Sequence, residues 1–340
     1  MPITIKDIAK RTGVNHSTVS RALHGSNLIS VETAERIRKA AREMGYQPSA
    51  AARSLKTRRS KVLGVIVSSI EDPFFSEIVF GIEAVAQDNG YSLFIGSSQH
   101  DNQRERKIVQ TMLEHRTDGV IVCSSSFSVE HGRQLLDHGF PIVVVNHQAT
   151  ENFHYSIFHD DIDGSRQVTR HLIGLGHQRI AYLGNSVSGR TTLDRLSGFQ
   201  AEMEAAGLPI PEGYIQHVPG GTALEGREGL QHFNGVAEFP TAIICYNDMI
   251  AIGLLQACHE AGIRVPQELS ITGFDNISFS AFTHPPLTTF DQPKSSIGAE
   301  AARLLFELID AEQKVTPGTQ YVKILKGSLL VRSSTAAVLP

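Results

Sequence analysis

The chain has 340 residues, 41% of them hydrophobic, and its formal net charge at pH 7 is −4. This length provides for one large core or two medium ones, and no apolar run approaches the ~20 residues that a membrane-spanning helix requires. The N-terminal stretch MPITIKD has neither the apolar segment nor the cleavage site of a signal peptide, so we expect a cytoplasmic protein without a membrane partner.

The charge is unevenly distributed along the chain. Up to and including Lys61 there are 13 Lys and Arg against 4 Asp and Glu, a net charge of +9, whereas the remainder has 18 against 31, a net charge of −13. A short segment this basic favours a polyanionic partner, and the phosphate backbone of a nucleic acid is the commonest one. Charge alone also allows a merely basic, solvated surface.

Capping and turn residues divide the basic segment into three short helices. The predicted helices begin after Thr4, Asn15 and Ser30 and end before Gly13, Gly25 and Gly45. Each opening residue has a side chain that can cap the free amides of the first turn, and glycine readily adopts the left-handed conformation that ends a helix. Two short helices joined by a turn with glycine, and supported by a third, predict a helix-turn-helix.

The second helix, within VNHSTVSRAL at residues 14–23, has an apolar and a polar face. Val19 and Leu23 point to the same side because they are four residues apart. The opposite face carries His16, Ser17, Ser20 and Arg21. A recognition helix turns its apolar face to its own domain and its polar residues to base edges, where an arginine can bond guanine O6 and N7 together. The pattern of this helix is suited to that task.

An alanine-rich stretch, SAAARSL at residues 49–55, follows the three helices. Alanine favours helix, but seven residues are fewer than the ~12 to 15 that an isolated helix needs in water. Pairing with the same segment of a second subunit in the minor groove of DNA would order it, with Leu55 as an apolar wedge between bases. The alternative is a plain alanine-rich linker.

From Val62 onward, short apolar runs alternate with amphipathic helical stretches. The runs are LGVIVSSI, YSLFIGSS, GVIVCSSS, PIVVVNHQ, IAYLGNS, TAIICYND and LSITGFDN, and each ends in small or polar residues. This alternation predicts an α/β core of doubly wound parallel sheets, with enough residues for two lobes. Ligands bind beyond the carboxyl ends of such strands, so the polar strand endings predict a cleft.

Two parts of the chain resemble the LacI/GalR family of bacterial repressors. IKDIAKRTGVNHSTVSRAL is similar to the DNA-binding headpiece of that family, and GYQPSAAARSL is similar to its hinge helix. Up to about Ser334, the core is similar in LIGLGHQRIAYLG, RLSGFQAEMEAAGL, NDMIAIG, GIRVPQELSITGFDN and PPLTTFDQP. The resemblance implies a small all-α headpiece at residues 1–47, a hinge helix and linker at 48–61, and an effector-binding and dimerisation core at 62–340.

The resemblance further implies that the core has the periplasmic-binding-protein type I fold. The chain would cross three times between its lobes, near residues 160, 291 and 325. The N-lobe would then contain residues 62–160 and 292–324, and the C-lobe residues 161–291 and 325–340.

The resemblance also assigns residues to DNA. His16 and Ser17 match the pair with which the family reads bases, and Arg21 matches its arginine in the major groove. Positions that hold phosphates in the family correspond to Asn15, Thr18, Ser20, Ser30 and Thr33. In the hinge, the minor-groove positions are Ala52 and Leu55.

A second set of matched positions implies an effector site. Positions that hold or cover the effector in the family correspond to Phe75, His147, Asp160, Arg195, Asn247 and Asp275. Charged and amide groups bond vicinal hydroxyls, and an aromatic ring covers the apolar face of a pyranose, so we expect a sugar or a sugar derivative. A purine or other non-sugar metabolite is the alternative, but the loop that supplies a second stacking ring in purine-binding members reads VPGGTALEG here.

No motif of the common enzyme classes or metal sites is present in the sequence. It lacks the P-loop, dinucleotide-binding, HExxH and GxSxG motifs. Histidine pairs such as His154 and His159 are poorly spaced for one helix face. Cys123, Cys245 and Cys258 lie far apart without a CxxC spacing. We therefore expect no enzymatic activity, no cofactor and no metal.

The alternative of a different class is a sugar-binding protein without a DNA role. Such a protein would share the two-lobed core, but it would carry a signal peptide and no basic headpiece. We instead predict a transcriptional regulator, most simply a repressor, that works in the cytoplasm at the nucleoid. Its partners would be a palindromic double-stranded DNA operator, a second copy of the chain, and a small effector.

Overall fold

A computed structural model describes the protein at residues 3–46, 59–124, 128–146, 155–310 and 321–338. The chain divides into two compact units, Met1–Ser60 and Lys61–Pro340. The predicted hinge residues Ala52 and Leu55, and the predicted effector residue His147, lie outside the described residues.

The first unit contains three helices, α1 (Ile5–Thr12), α2 (His16–Leu23) and α3 (Val31–Glu43). Their inner faces form one small apolar core, which contains Ile8, Ala9, Val19, Ala22, Ala34, Ile37, Ala40 and Ala41. Gly13, Gly25 and Gly45 follow the helices with positive φ angles of 66°, 72° and 65°. The helix-turn-helix prediction is confirmed, because left-handed glycines end the helices where the sequence placed them.

The second unit contains two lobes, each built around one sheet. The strands of the first sheet are β1 (Val62–Val67), β2 (Ser92–Ser97), β3 (Gly119–Cys123), β4 (Ile142–Val145), β5 (Tyr155–His159) and β11 (Tyr321–Leu325). The helices of this lobe are α4 (Pro73–Asp88), α5 (Asn102–His115), α6 (Val129–Asp137) and α11 (Lys294–Asp310). The strand order is β11-β5-β4-β3-β1-β2, and neighbouring strands are parallel.

The second sheet has a similar plan. Its strands are β6 (Ile180–Asn185), β7 (Ile215–Val218), β8 (Ala242–Cys245), β9 (Ser270–Asp275), β10 (Thr288–Asp291) and β12 (Ser328–Leu330). The helices of this lobe are α7 (Asp161–Gly174), α8 (Arg190–Ala205), α9 (Ala223–Gly229) and α10 (Asp248–Glu260), with 3₁₀ turns at Leu230–Phe233 and Ser278–Ala281. The order is β12-β10-β9-β8-β6-β7, in which the short edge strand β12 is antiparallel to β10. An antiparallel edge on a parallel sheet is common in such folds.

Both faces of each sheet are covered by helices. In the central strand β1, Val65 packs into the core shared with α4 and α11, whereas Ile66 packs into the core shared with α5 and α6. Successive residues of a strand point to opposite faces, so a run of apolar residues supplies both cores. The predicted fold class, two doubly wound lobes of periplasmic-binding-protein type, is confirmed. The sequence analysis did not identify five strands, because none of them contains a long apolar run. They are β5, β7, β10, β11 and β12.

The chain passes repeatedly between the two lobes in the described part of the second unit. It leaves the first sheet after β5, returns to the first lobe between β10 and α11, and reaches the second sheet again between β11 and β12. No described helix is both long and apolar enough to cross a membrane.

Glycine lets the returning helix α11 pack closely against α4. A Cβ atom at Gly81 would lie 2.0 Å from the Ser295 carbonyl oxygen, and one at Gly298 would lie 2.0 Å from the Ile78 carbonyl oxygen. No side chain fits at either distance, so the two backbones approach each other here. This contact holds α4, whose first turn belongs to the site described below.

Candidate functional site

The start of α2 is fixed by side chains that cap its backbone. Asn15 Oδ1 accepts a hydrogen bond from the Ser17 backbone N–H at 3.1 Å. Val19 and Ala22 are buried against the other two helices, with relative exposures of 0% and 1%. Because one face is held in the core, the orientation of the opposite face is determined as well.

The exposed face of α2 carries the residues predicted to read bases. His16, Ser17 and Arg21 are all exposed. The Arg21 guanidinium makes no hydrogen bond or ion pair with any residue that the structure describes. Five donors on an unpaired cation remain available for an external acceptor, and a guanine edge or a phosphate is such an acceptor.

The residues predicted to hold phosphates cluster at the starts of α2 and α3. Asn15 caps α2, and Ser30 caps α3 by accepting from the Thr33 backbone N–H at 3.4 Å. Thr18 and Ser20 are partly buried on α2. Backbone amides at a helix N-terminus point outward and favour anions, so these positions suit phosphate contacts.

A cavity of ≈ 630 Å³ lies between the carboxyl ends of the two sheets of the second unit. Its size is within the ~300 to 1,000 Å³ of small-molecule pockets. Both lobes contribute neutral polar side chains, namely Ser68, Ser69, Gln99, Ser124 and Asn146 from the first and Asn185, Ser188, Thr191, Thr222 and Asn247 from the second. This space, the interlobe cavity, is where the strand endings predicted a cleft.

Four of the residues predicted to contact an effector line the interlobe cavity. They are Phe75, Arg195, Asn247 and Asp275. Asn247 is oriented by two hydrogen bonds, since its Oδ1 accepts from the Ile250 backbone N–H at 2.9 Å and its Nδ2 donates to the Gly221 carbonyl at 3.0 Å. The amide therefore also caps α10, a structural role that its sequence position did not reveal.

Arg195 is 3% exposed, and its guanidinium is held on several sides. Nε lies 2.7 Å from Asp161 Oδ1, Nη1 donates to the Tyr246 carbonyl at 2.5 Å, and Nη2 lies 3.5 Å from Asp275 Oδ1. Burial disfavours the charge, but the combined attraction of Asp161, Tyr246 and Asp275 outweighs it, so the pKa of Arg195 is raised. The ring of Tyr246 lies 4.5 Å from the guanidinium carbon.

Asp275 is the last residue of β9, and its backbone conformation is unusual. Its φ angle is 111°, a region that side chains other than glycine rarely adopt. Lys294, itself 3% exposed, donates from Nζ to the carbonyls of Asp275 at 2.5 Å and Asn276 at 3.0 Å. Gln292 Nε2 donates to Asp275 Oδ1 at 2.5 Å. Burial raises the pKa of Asp275 well above its usual range, against the attraction of Arg195.

Asp160 does not line the interlobe cavity, contrary to expectation. Its Oδ1 accepts from the Asp163 backbone N–H at 3.0 Å, so the carboxylate caps α7. It borders a separate cavity of ≈ 40 Å³. The next residue, Asp161, is the one that reaches Arg195, because successive side chains at the start of a helix point about 100° apart.

Sequence reasoning missed several side chains that shape the interlobe cavity. Tyr246 follows β8 directly, and Asp72 caps α4 by accepting from the Phe74 backbone N–H at 3.0 Å. The Asp-Pro pair at the start of α4 is an N-terminal helix signal that could have identified Asp72. Asp161 and Lys294 act on residues far away in the chain, and no local signal marks them.

Comparison with known proteins identifies the family of the chain. The model of bacterial regulatory proteins of the lacI family matches residues 4–49, and the model of the periplasmic binding protein-like domain matches residues 169–335. The transcriptional repressor PurR of Pasteurella multocida is 35% identical over 316 residues, which cover 92% of this chain and 93% of that protein. The chain belongs to the LacI family. The LacI-family repressor CytR of Escherichia coli is 34% identical over 340 residues, which cover 98% of this chain and 97% of that protein.

Solved structures of LacI-family proteins have the same architecture. The lac repressor dimer bound to operator and the anti-inducer ONPF matches 99% of this chain and 100% of its own with a TM-score of 0.86 and 26% identity. The regulator CelR in complex with cellobiose matches 98% of this chain and 99% of its own with a TM-score of 0.73 and 25% identity. The protein is thus a DNA-binding transcriptional repressor of the LacI family, as predicted, and not an enzyme.

Proposed function

We propose that the protein binds a palindromic operator as a homodimer, and that a small effector in the interlobe cavity controls this binding. The observation that carries the first part is the exposed face of α2, where Arg21 has no partner among the described residues, in a segment of net charge +9. Two copies of such a helix, related by a two-fold axis, read two half-sites of a palindrome.

Exposed phenyl rings on the second unit support the homodimer. Phe80 on α4 is 67% exposed, and Phe279 and Phe282 are 58% and 86% exposed. Ile277, just before these last two, packs into the same core as α4. Large apolar side chains exposed on a protein surface are typical of a protein interface.

A sugar or sugar derivative is the proposed effector. The interlobe cavity combines hydroxyl and amide side chains with Arg195 and Asp275, a set suited to vicinal hydroxyls. Similar structures contain sugars: CelR holds cellobiose, and a LacI-family regulator of Enterococcus faecium, 25% identical with a TM-score of 0.72, holds ribose. One observation favours the purine alternative, since Tyr246 adds an aromatic ring from the second lobe to those of Phe74 and Phe75.

The DNA part of the proposal is tested by selecting genomic fragments with the purified protein. Palindromic fragments should be enriched, and the logarithm of their affinity should fall with the logarithm of salt concentration by about 0.9 per phosphate neutralised. A flat salt response, or no enrichment of any promoter fragment, would refute the proposal.

Thermal-shift screening of sugars, sugar phosphates and purines, followed by operator binding with each hit, tests the effector part.

A further inference from the structure

Carboxyl groups outnumber cations around the interlobe cavity. Among the described residues that line it, the carboxyl groups belong to Glu71, Asp72, Glu225 and Asp275, and the one permanently charged cation belongs to Arg195. Glu71 is exposed at the rim, Asp72 and Glu225 are partly buried, and Asp275 is 5% exposed. Burial raises the pKa of Asp72 and of Asp275. The cavity therefore offers an anion little attraction unless a cation is free to bind it.

Arg195 is not free for this purpose. Its Nε and Nη1 are bonded to Asp161 and to the Tyr246 carbonyl, and Nη2 faces Asp275 at 3.5 Å. Asp161 retains its negative charge, since burial raises its pKa but His159 and Arg195 lower it by more. The charge of the guanidinium is thus already balanced inside the protein, and an anionic ligand would have to compete with the buried carboxylate of Asp161.

Two further basic groups lie near the cavity but do not supply a positive charge to it. Desolvation lowers the pKa of His100, so its ring is largely neutral at pH 7. Lys294 is 3% exposed, and its ammonium group donates to the backbone carbonyls of Asp275, Asn276 and Gln292. Neither resembles the exposed lysine or arginine of a phosphate site.

Side chains of the protein already cap most of the helix N-termini at the cavity. Asp72 caps α4, Asn247 caps α10, and Glu225 Oε2 accepts from the Thr222 backbone N–H at 2.8 Å at the start of α9. Phosphates usually bind to such amides, and here side chains of the protein take that place. The start of α8, after Gly189, has no side-chain cap, so a direct test with anions is necessary.

We propose that the interlobe cavity selects an uncharged, hydroxyl-rich ligand, a free sugar or a nucleoside, and rejects the phosphorylated form of the same molecule. This inference rests on the proposed function of the cavity as an effector site. Hydroxyl groups donate to the free carboxylate oxygens and accept from the amides, whereas a phosphate only accepts. The rings of Phe75 and Tyr246 offer contact surfaces to a sugar face or a base.

The test uses calorimetry on the full chain with matched pairs of probes. Each pair is an uncharged molecule and its monophosphate, such as ribose, glucose, cellobiose or adenosine beside the corresponding phosphate. We expect the uncharged member of any binding pair to bind at least about tenfold tighter, which corresponds to about 1.4 kcal/mol. The result also shows whether the uncharged ligand is a sugar or a nucleoside, since both kinds of molecule are in the panel. Equal or tighter binding of a phosphorylated member, or a panel without an uncharged binder, overturns the inference.

Charge variants test the cause of the selection. Asp72→Asn and Glu225→Gln remove a negative charge each but keep an oxygen that caps the helix. The double variant with both substitutions should show a several-fold smaller preference for the uncharged probe, mainly because it binds the phosphorylated probe more tightly. Glu83→Gln removes one exposed charge elsewhere on α4 and should leave the preference unchanged. Identical preferences in all variants would contradict the electrostatic cause.

Failure of this inference is distinguishable from failure of the proposed function. Operator binding is measured in the same preparations with and without each probe. A phosphorylated molecule that changes operator affinity would refute the selection but support effector control. Absence of operator binding in any condition would refute the proposed function itself.

Discussion

Arg195 joins three elements of the second lobe at the wall of the interlobe cavity. Its guanidinium bonds Asp161 at the start of α7, the carbonyl of Tyr246 after β8, and approaches Asp275 at the end of β9. This buried cation is costly to remove, because the Asp161 carboxylate, whose pKa is lowered, would then remain buried without compensation. Arg195 therefore has a structural role in this lobe.

Arg195→Ala should reduce the free energy of unfolding of the protein by about 3 to 5 kcal/mol, since the buried carboxylate of Asp161 loses its cation. Urea unfolding at pH 7 measures the loss. Arg190→Ala on the same helix is the matched control: Arg190 pairs with Asp194 at 2.8 Å, but its side chain is 54% exposed. The control should cost less than about 1 kcal/mol. Equal losses in the two variants would contradict the buried role of Arg195.

Arg21→Ala should weaken binding to the selected operator by about 1 to 3 kcal/mol and relax the preference at one base pair, because a bidentate base contact is lost. Competition binding with a set of single-base operator variants measures both effects. Arg38→Ala removes the same charge from the exposed face of α3 and should weaken all sequences alike. An unchanged base preference in Arg21→Ala would argue against base reading by this residue.

At the scale of elements, Asp248 connects the first turn of α10 to two other segments of the second lobe. It is fully buried, and its carboxylate accepts from the Ile277 backbone N–H at 2.8 Å and from Thr289 Oγ1 at 2.5 Å. Burial raises the pKa of Asp248 to about 7, although these hydrogen bonds and Lys294 oppose the increase. The carboxyl group thus links the cap of α10, beside Asn247, to β10.

Because of Asp248, the free energy of unfolding of the protein should fall as pH rises from 3.8 towards about 7, and then level off. In that window the folded protein retains a proton that the unfolded chain has released, so each pH unit costs up to about 1.4 kcal/mol. Urea unfolding between pH 5 and 8 measures the slope. Asp248→Asn removes this titration, so the free energy of unfolding of the variant should lack this contribution to the slope against pH. His171 and His177, whose pKa values burial lowers, contribute equally to both proteins. Parallel curves would show that Asp248 is ionised throughout.

At the scale of the whole molecule, charge is distributed unevenly along the chain. A net charge of +9 up to Lys61 favours binding to DNA, while the −13 of the remainder opposes it. In the proposed dimer, operator affinity depends on two headpieces acting together, since a second half-site adds the effect of a high local concentration. The proposed dimer interface would for this reason be part of the DNA-binding function.

Phe282→Glu should shift the protein from dimer to monomer and weaken operator binding by at least about tenfold, because a charge would be buried against apolar surface of the second copy. Analytical ultracentrifugation and operator titration measure the two effects. Leu224→Glu is the control, since Leu224 is 63% exposed on α9 in a different part of the second lobe. A variant that combines Phe282→Glu with Phe80→Glu and still forms dimers would exclude this surface.

Local patterns in the sequence determined the types of the elements and the general place of the site. Capping residues and left-handed glycines marked the three headpiece helices, since these interactions span only a few residues. Apolar runs with polar endings marked the main strands and the cleft, because parallel strands deliver their carboxyl ends to one edge. The strands β5, β7, β10, β11 and β12 were missed because their sequences contain no long apolar run.

Only the tertiary structure decided how the site residues are used. Asp161 rather than its neighbour Asp160 reaches Arg195, 34 residues further along the chain. Lys294 supports the backbone of Asp275, and Tyr246 adds a ring from the second lobe to the interlobe cavity. These contacts depend on tertiary packing, and the partners come from distant segments of the chain. Local periodicity reports which face of an element is buried, but it carries no information about which distant side chain lies opposite.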